Sequence, residues 1–171
     1  MKISTKIFYP LVFVVLLIMP AAAGAQFFWG QNPMIGKQAI DFDIASLNGQ
    51  RTSLSQYRKG GPAIVFFWAT WCQYCRDELR NLQPKVETLQ KRGVKVLLVN
   101  VQESPAEIRA FLNRLPLTAE VFLDADSKVS DQYGVSGLPT VFLINKDGVI
   151  IAMDHELPQN YAAALSLDSK R

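Results

Sequence analysis

Cys72 and Cys75 are the only cysteines of the chain, and they stand in the run Trp71-Cys72-Gln73-Tyr74-Cys75. A continuous apolar stretch, Ala63 to Phe67, precedes this run. After it, Leu79, Leu82, Val86 and Leu89 recur at helical spacing among charged residues. Two thiols three residues apart at the start of a helix come within bonding distance of each other. The unsatisfied N–H groups and the dipole of the first helical turn stabilise a thiolate on Cys72. That spacing points to reversible thiol–disulfide exchange. Two other uses of the pair stay open on the residues alone. A static structural disulfide would close only a four-residue ring, which contributes little because the entropic gain grows with loop length. Half of a zinc site would need further ligands, and no second CxxC and no nearby His supply them.

Holding these thiols in place takes a strand and a helix, and the rest of the chain reads as a sheet built around them. Ala63 to Phe67 has the pattern of a strand covered on both faces. The helix starting at Cys72 is expected to continue to about Lys91, with Pro84 as a kink point and Gly93 as its stop. Upstream, Ala39 to Ser46 alternates as a weak strand, Asn48-Gly49 signals a turn, and Arg51 to Leu54 returns as the second arm of a hairpin. Ser53 to Lys59 reads as a helical turn with Leu54 and Tyr57 facing inward, and Gly60-Gly61-Pro62 breaks it. Downstream, Val94 to Val99 is a second buried strand. Ser104 caps a helix over Ala106 to Leu115 with Pro105 at its first position, and Pro116 ends it. A strand at Ala119 to Leu123, a short helix at Asp126 to Tyr133 and a turn at Val135 to Pro139 follow. Thr140 to Ile144 and Val149 to Met153 pair across the turn Asn145-Lys146-Asp147-Gly148, and Glu156 to Leu167 closes the domain as a helix interrupted early by Pro158. Strands alternating with helices, then an antiparallel pair, imply an α/β fold with a central mixed sheet flanked by helices.

The chain has 171 residues, 49% of them hydrophobic, enough for one well-filled domain. Its formal net charge is +3, but two of the lysines, Lys2 and Lys6, lie at the start. Without them 16 basic side chains face 15 acidic ones, and no basic stripe suggests nucleic acid as a partner. Lys2 and Lys6, an apolar run from Ile7 and the small residues Ala23-Gly24-Ala25 read as a signal peptide or an N-terminal membrane anchor over residues 1–25. The apolar run is just long enough to cross a bilayer if it is not cleaved. Either outcome exports the cysteines to an oxidising compartment, the periplasm or the outer face of the cytoplasmic membrane. Residues 26–34 read as a linker, in which Phe27, Phe28 and Trp29 offer an apolar cluster, and residues 35–171 as the folded domain.

The run Phe67-Trp68-Ala69-Thr70-Trp71-Cys72-Gln73-Tyr74-Cys75, with Gly137-Leu138-Pro139-Thr140 further on, resembles the thioredoxin fold. The N-terminal hairpin led by Ile35-Gly36, the inserted helix over residues 104 to 115 and the export signal make the chain similar to membrane-associated thioredoxin-like disulfide reductases of the TlpA/ResA type. The resemblance covers roughly residues 34 to 168. It implies that Cys72 is the exposed nucleophilic thiol, Cys75 the buried resolving thiol, and Leu138-Pro139 a cis peptide bond facing them. Backbone groups next to such a bond can pair with an extended substrate. Phe66 stands where ordinary thioredoxins carry a buried Asp. Glu78, one helical turn after Cys75, matches the carboxylate that the TlpA/ResA branch uses instead, placed to accept the resolving thiol's proton. Trp71, Gln73 and Tyr74, with Leu138 and Pro139, form the implied substrate-binding surface, while Trp68 fills core. Gln73-Tyr74 departs from the Gly-Pro and Glu-Pro pairs common between such cysteines. His155, the lone histidine, reads as a capping or surface residue.

The implied activity is thiol–disulfide exchange on exported proteins in the reducing direction, with apocytochrome c as one client. A membrane disulfide reductant of the DsbD/CcdA kind would supply electrons, no cofactor or metal is needed, and the expected state is a monomer. The rivals are a dithiol oxidase or isomerase running the same exchange in another direction, a thiol-dependent peroxidase, for which Thr70 alone is weak support, and a metal or haem chaperone.

Overall fold

The run Ala63–Trp68 is buried at every position, and its alternating side chains feed two separate cores. Ile64, Phe66 and Trp68 belong to one, and Ala63, Val65 and Phe67 to the other. This is the pattern a strand shows when both faces of its sheet are covered. In the computed structural model, which describes residues 32–167, it is the third strand of twelve elements. In chain order these are β1 (Asp43–Ser46), β2 (Arg51–Ser53), α1 (Leu54–Arg58), β3 (Ala63–Trp68), α2 (Gln73–Lys91), β4 (Lys95–Val101), α3 (Pro105–Leu112), β5 (Glu120–Asp124), α4 (Lys128–Gln132), β6 (Thr140–Ile144), β7 (Ile150–Asp154) and α5 (Tyr161–Ala164).

The strands form one seven-stranded mixed sheet in the order β2-β1-β5-β4-β3-β6-β7. β3, β4 and β5 run parallel through their crossover helices, and all other pairs are antiparallel. β3 therefore lies in the interior of the sheet, between β4 and β6, and delivers its C-terminal end directly into the cysteine turn. Helices α2 and α3 cover one face through Leu79, Leu82, Val86, Leu89, Ile108 and Phe111, whereas Leu54 of α1 and Val129 of α4 cover the other. The architecture is the thioredoxin-like one, with the β1–β2 hairpin at its N-terminal side and α3 in the β4–β5 crossover.

Local signals explain the helix ends. Ser53 and Gln56 form a reciprocal capping box on α1, and Ser104 and Glu107 do the same on α3, with Pro105 at its first turn. α2 runs unbroken through Pro84 because its stripe Leu79, Leu82, Val86 and Leu89 is buried to 2% or less exposure. Each such side chain stabilises by roughly 2 kcal/mol on burial, comparable to the roughly 3 kcal/mol cost of an internal proline. Leu79→Ala, beside the cysteines, should cost about 2–5 kcal/mol.

Two expectations need correction. The first strand begins at Asp43, not Ala39. The preceding residues pair with the opposite edge of the sheet, where Ala39 N–H donates to Gly148 O at 2.8 Å and Gly36 N–H to Ile150 O at 2.8 Å. The last helix is only Tyr161–Ala164. Pro158 disfavours a helical Leu157, and the Leu157 N–H is taken by a side chain of the active-site helix, so residues 155–160 form bends and turns instead. The expected signal or anchor at residues 1–25 and the cluster Phe27, Phe28 and Trp29 lie outside the described residues. Among the described residues no helix is long and apolar enough to cross a membrane.

Candidate active site

Cys72 and Cys75 are joined in a disulfide, with their Cα atoms 5.2 Å apart. Cys72 is the N-cap of α2, in extended conformation, and its Sγ accepts the N–H of Cys75 at 3.2 Å. A sulfur thus occupies the position usually filled by a Ser or Asp oxygen. In the dithiol state the same N–H and the helix dipole are aimed at the Cys72 sulfur, which favours its thiolate. The resemblance implies an exposed Cys72, but both cysteines are buried in the core and differ in access only by a small margin. Cys72 is 6% exposed and Cys75 is fully buried. Cys72 therefore opens to solvent only through a narrow window.

Around that window the surface is aromatic. Trp71 is 68% and Tyr74 77% exposed, and with Ile40 they are the exposed large hydrophobic residues of the described domain. Gln73 between the sulfurs is also exposed. Trp68 is fully buried, with its ring 5.4 Å from that of Phe111. Phe66 is buried in the same core as the cysteines and brings no carboxylate to them.

Leu138-Pro139 is a cis peptide bond. Leu138 is half-buried and packs against the core that contains both cysteines. The turn is held by the Thr140 hydroxyl, which donates to Gly137 O at 2.7 Å, and by the ring of His155, whose Nδ1 lies 2.7 Å from Pro139 O. Because a carbonyl only accepts, Nδ1 is the donor, a role open to both neutral and cationic imidazole. His155 is exposed, as expected, but its ring fastens the proline turn.

Glu78 lies one turn beyond Cys75 and is half-buried. Its Oε1 accepts the Leu157 N–H at 2.9 Å and its Oε2 the Asn81 amide at 3.3 Å. It therefore ties the active-site helix to the segment that follows His155. The segment 155–157 touches both the proline turn and the helix of the cysteines.

Glu103 has no counterpart in the sequence reading. It is 8% exposed and stands just beyond the end of β4. Its carboxylate accepts the Thr70 N–H at 2.6 Å, the Thr70 hydroxyl, and the Asn100 amide at 2.7 Å. Thr70 O in turn accepts from Arg76 Nη1 at 3.0 Å. Asn100 is registered opposite Trp68 across β3 and β4, so the network grips the chain two residues before the nucleophile. In sequence a Glu between an apolar strand and a helix cap reads as loop polarity. The one available signal is Asn100, a polar residue inside a buried strand. Among the described residues no group of three or more His, Cys, Asp and Glu could hold a metal ion.

Comparison with known proteins agrees with this geometry. The AhpC/TSA family matches residues 35–153. The thiol-disulfide oxidoreductase ResA of Geobacillus thermodenitrificans is 37% identical over 142 residues, covering 80% of this chain and 81% of that protein. ResA of Bacillus subtilis is 34% identical over 142 residues, covering 80% and 79%. Among solved structures, a candidate thiol:disulfide interchange protein DsbE of Chlorobium tepidum superposes with a TM-score of 0.68 at 27% identity, covering 78% of this chain and 94% of that one. StoA of Bacillus subtilis shares the fold with a TM-score of 0.62 at 23% identity, covering 79% and 98%. A dithiol at a helix N-cap beside a cis-proline turn, in a chain with these relatives, is an enzyme site for thiol–disulfide exchange. The chain belongs to the AhpC/TSA family and, within the thioredoxin superfamily, to the ResA/TlpA-like thiol-disulfide oxidoreductases.

Proposed function

We propose that this protein reduces disulfides of exported proteins outside the cytoplasm, with the haem-attachment cysteines of apocytochrome c as one client. The Cys72 thiolate attacks a client disulfide, forming a mixed disulfide and releasing the first client sulfur as a thiolate. Cys75, its proton passed to Glu78, then attacks Cys72 Sγ. The second client sulfur leaves as a thiolate and takes up the proton held by Glu78, two electrons have moved to the client, and the enzyme holds the Cys72–Cys75 disulfide described above. A membrane disulfide reductant of the DsbD/CcdA kind returns the pair to the dithiol. Trp71, Gln73 and Tyr74 form one wall of client docking and the Leu138-Pro139 turn the other. The leader over residues 1–25 exports the domain or anchors it at the outer face of the cytoplasmic membrane.

The observation that carries this reading is the asymmetry of the pair: a capped, slightly accessible Cys72 and a fully buried Cys75 with a carboxylate one turn away. An attacking and a resolving thiol need that division of labour. Expressed with its own leader, a Cys75→Ser variant should accumulate mixed disulfides through Cys72 with exported cysteine proteins, apocytochrome c among them. Absence of such adducts, together with peroxide turnover by the wild-type protein, would move the assignment to a peroxidase.

A further inference from the structure

Beyond the disulfide, the feature of the surface that invites a ligand is a cleft of about 350 Å³ between α2 and α3, walled at one end by Thr70, two residues before Cys72. Of the described cavities it is the one that reaches the cysteine turn. Its floor is apolar, from Phe111 and Leu115, and its rim carries Arg76, Arg80 and Arg114 against the single carboxylate of Glu107.

The three guanidiniums differ in how they are committed. Arg76 is half-buried and is held by Thr70 O at 3.0 Å through one of its five N–H groups. Arg80 pairs with Asp77 at 2.7 Å, but both side chains are more than half exposed, so that contact is readily exchanged for another carboxylate. Arg114 is exposed, and while its backbone N–H donates to Phe111 O, its guanidinium has no hydrogen-bond or ion-pair partner among the described residues. The opposing charge is already occupied. Glu107 accepts from both the N–H and the hydroxyl of Ser104 in the α3 capping box, and these bonds hold its carboxyl below the usual range. The rim therefore presents a surplus of N–H donors beside an apolar floor. Arg76 and Arg80 are four residues apart and share a face of α2, while Glu78 serves the Leu157 segment.

We propose that this cleft receives an acidic stretch of the client chain flanking its reactive cysteine, so that the protein selects disulfides with Asp or Glu a few residues away. This rests on the exchange reading above and names the substrate class of the same site. A client strand that crosses the Trp71-Cys72 turn would run on toward Thr70, and its carboxylates would meet forked guanidinium donors.

The test uses the full reduced protein and three synthetic peptides with the same internal disulfide, flanked by Asp/Glu, by Ser/Gln or by Lys. Each rate is divided by that peptide's rate with a small neutral dithiol. The acidic peptide should react about tenfold faster than the neutral one, and the lysine peptide slower still, with the differences shrinking at high salt. In an Arg80→Gln/Arg114→Gln variant the acidic preference should fall to about twofold or less, with the neutral peptide's rate unchanged. Equal normalised rates for the three peptides would overturn the inference and leave the exchange reading intact. A preference that survives in the variant, or a variant slowed equally on all three, would also overturn it. Exchange with none of the peptides would remove the parent reading and this inference together.

Discussion

Glu103 grips the Thr70 turn before the cysteines and Glu78 stands on the helix after them, and the two carboxylates are held in opposite ways. Glu103 is almost fully buried and takes three donors, two from Thr70 in the turn after β3 and one from Asn100 in β4. Glu78 is half-buried and takes one backbone N–H from an irregular segment and one long bond from a neighbouring helix residue. A carboxylate surrounded by fixed donors is committed to a structural task, because removing it leaves those donors without a partner. A carboxylate with spare lone pairs and partial solvent access can change partners or take up a proton during a reaction. The contrast gives Glu103 the anchoring of the Thr70 turn and leaves Glu78 the carboxylate with room for the proton transfer proposed above.

Substitutions should separate the two. The largest effect on the fold is expected from Glu103→Ala, which leaves the Thr70 and Asn100 donors buried and unpaired and should destabilise by about 3 kcal/mol. Chemical denaturation measures this, and a loss below about 1 kcal/mol would dissolve the distinction. Glu78→Gln should do the reverse. Its amide oxygen can still accept the Leu157 N–H, so stability should change by less than about 1 kcal/mol, while disulfide turnover falls about 100-fold, equivalent to about 2.7 kcal/mol of barrier. Unchanged turnover and an unchanged Cys75 pKa would remove Glu78 from the mechanism. The smallest effect is expected at His155. His155→Ala loses one exposed hydrogen bond to Pro139 O and should cost about 1 kcal/mol, read as a small fall in Tm. A client KM that rises while kcat holds would place this loss in the docking turn.

Periodicity and turn chemistry made most of the scaffold legible. Thr140–Ile144 has the expected bounds, the helix after Cys72 runs to Lys91, and Ser104 with Pro105 starts α3 as its cap signal predicts. These features are local, decided by residues within a few positions of each other. What stayed hidden depends on partners far apart in the chain. Glu103 meets Thr70 across 33 positions and Glu78 meets Leu157 across 79, and neither pairing leaves a local pattern. The shortened last helix has the same origin, since Pro158 was visible but the diversion of the Leu157 N–H to Glu78 was not. β1 pairs with β5 on the side away from β2, a non-local contact that no hairpin signal announces. The site was legible where chemistry is written in adjacent residues, as in Cys72-Gln73-Tyr74-Cys75 and Leu138-Pro139. It was silent where tertiary contacts assign a side chain its task.

Gln73-Tyr74 sits between the sulfurs, where the direction of electron flow is set, and the central claim of a reductase stands on that direction. Equilibrating the Cys72–Cys75 pair against a thiol buffer of known poise measures its reduction potential. For a two-electron couple, 30 mV corresponds to about 1.4 kcal/mol. The account predicts a potential well toward that of a strong reductant, about −270 mV. A value near or above roughly −130 mV, in the range of a strong dithiol oxidant at about −120 mV, would contradict it.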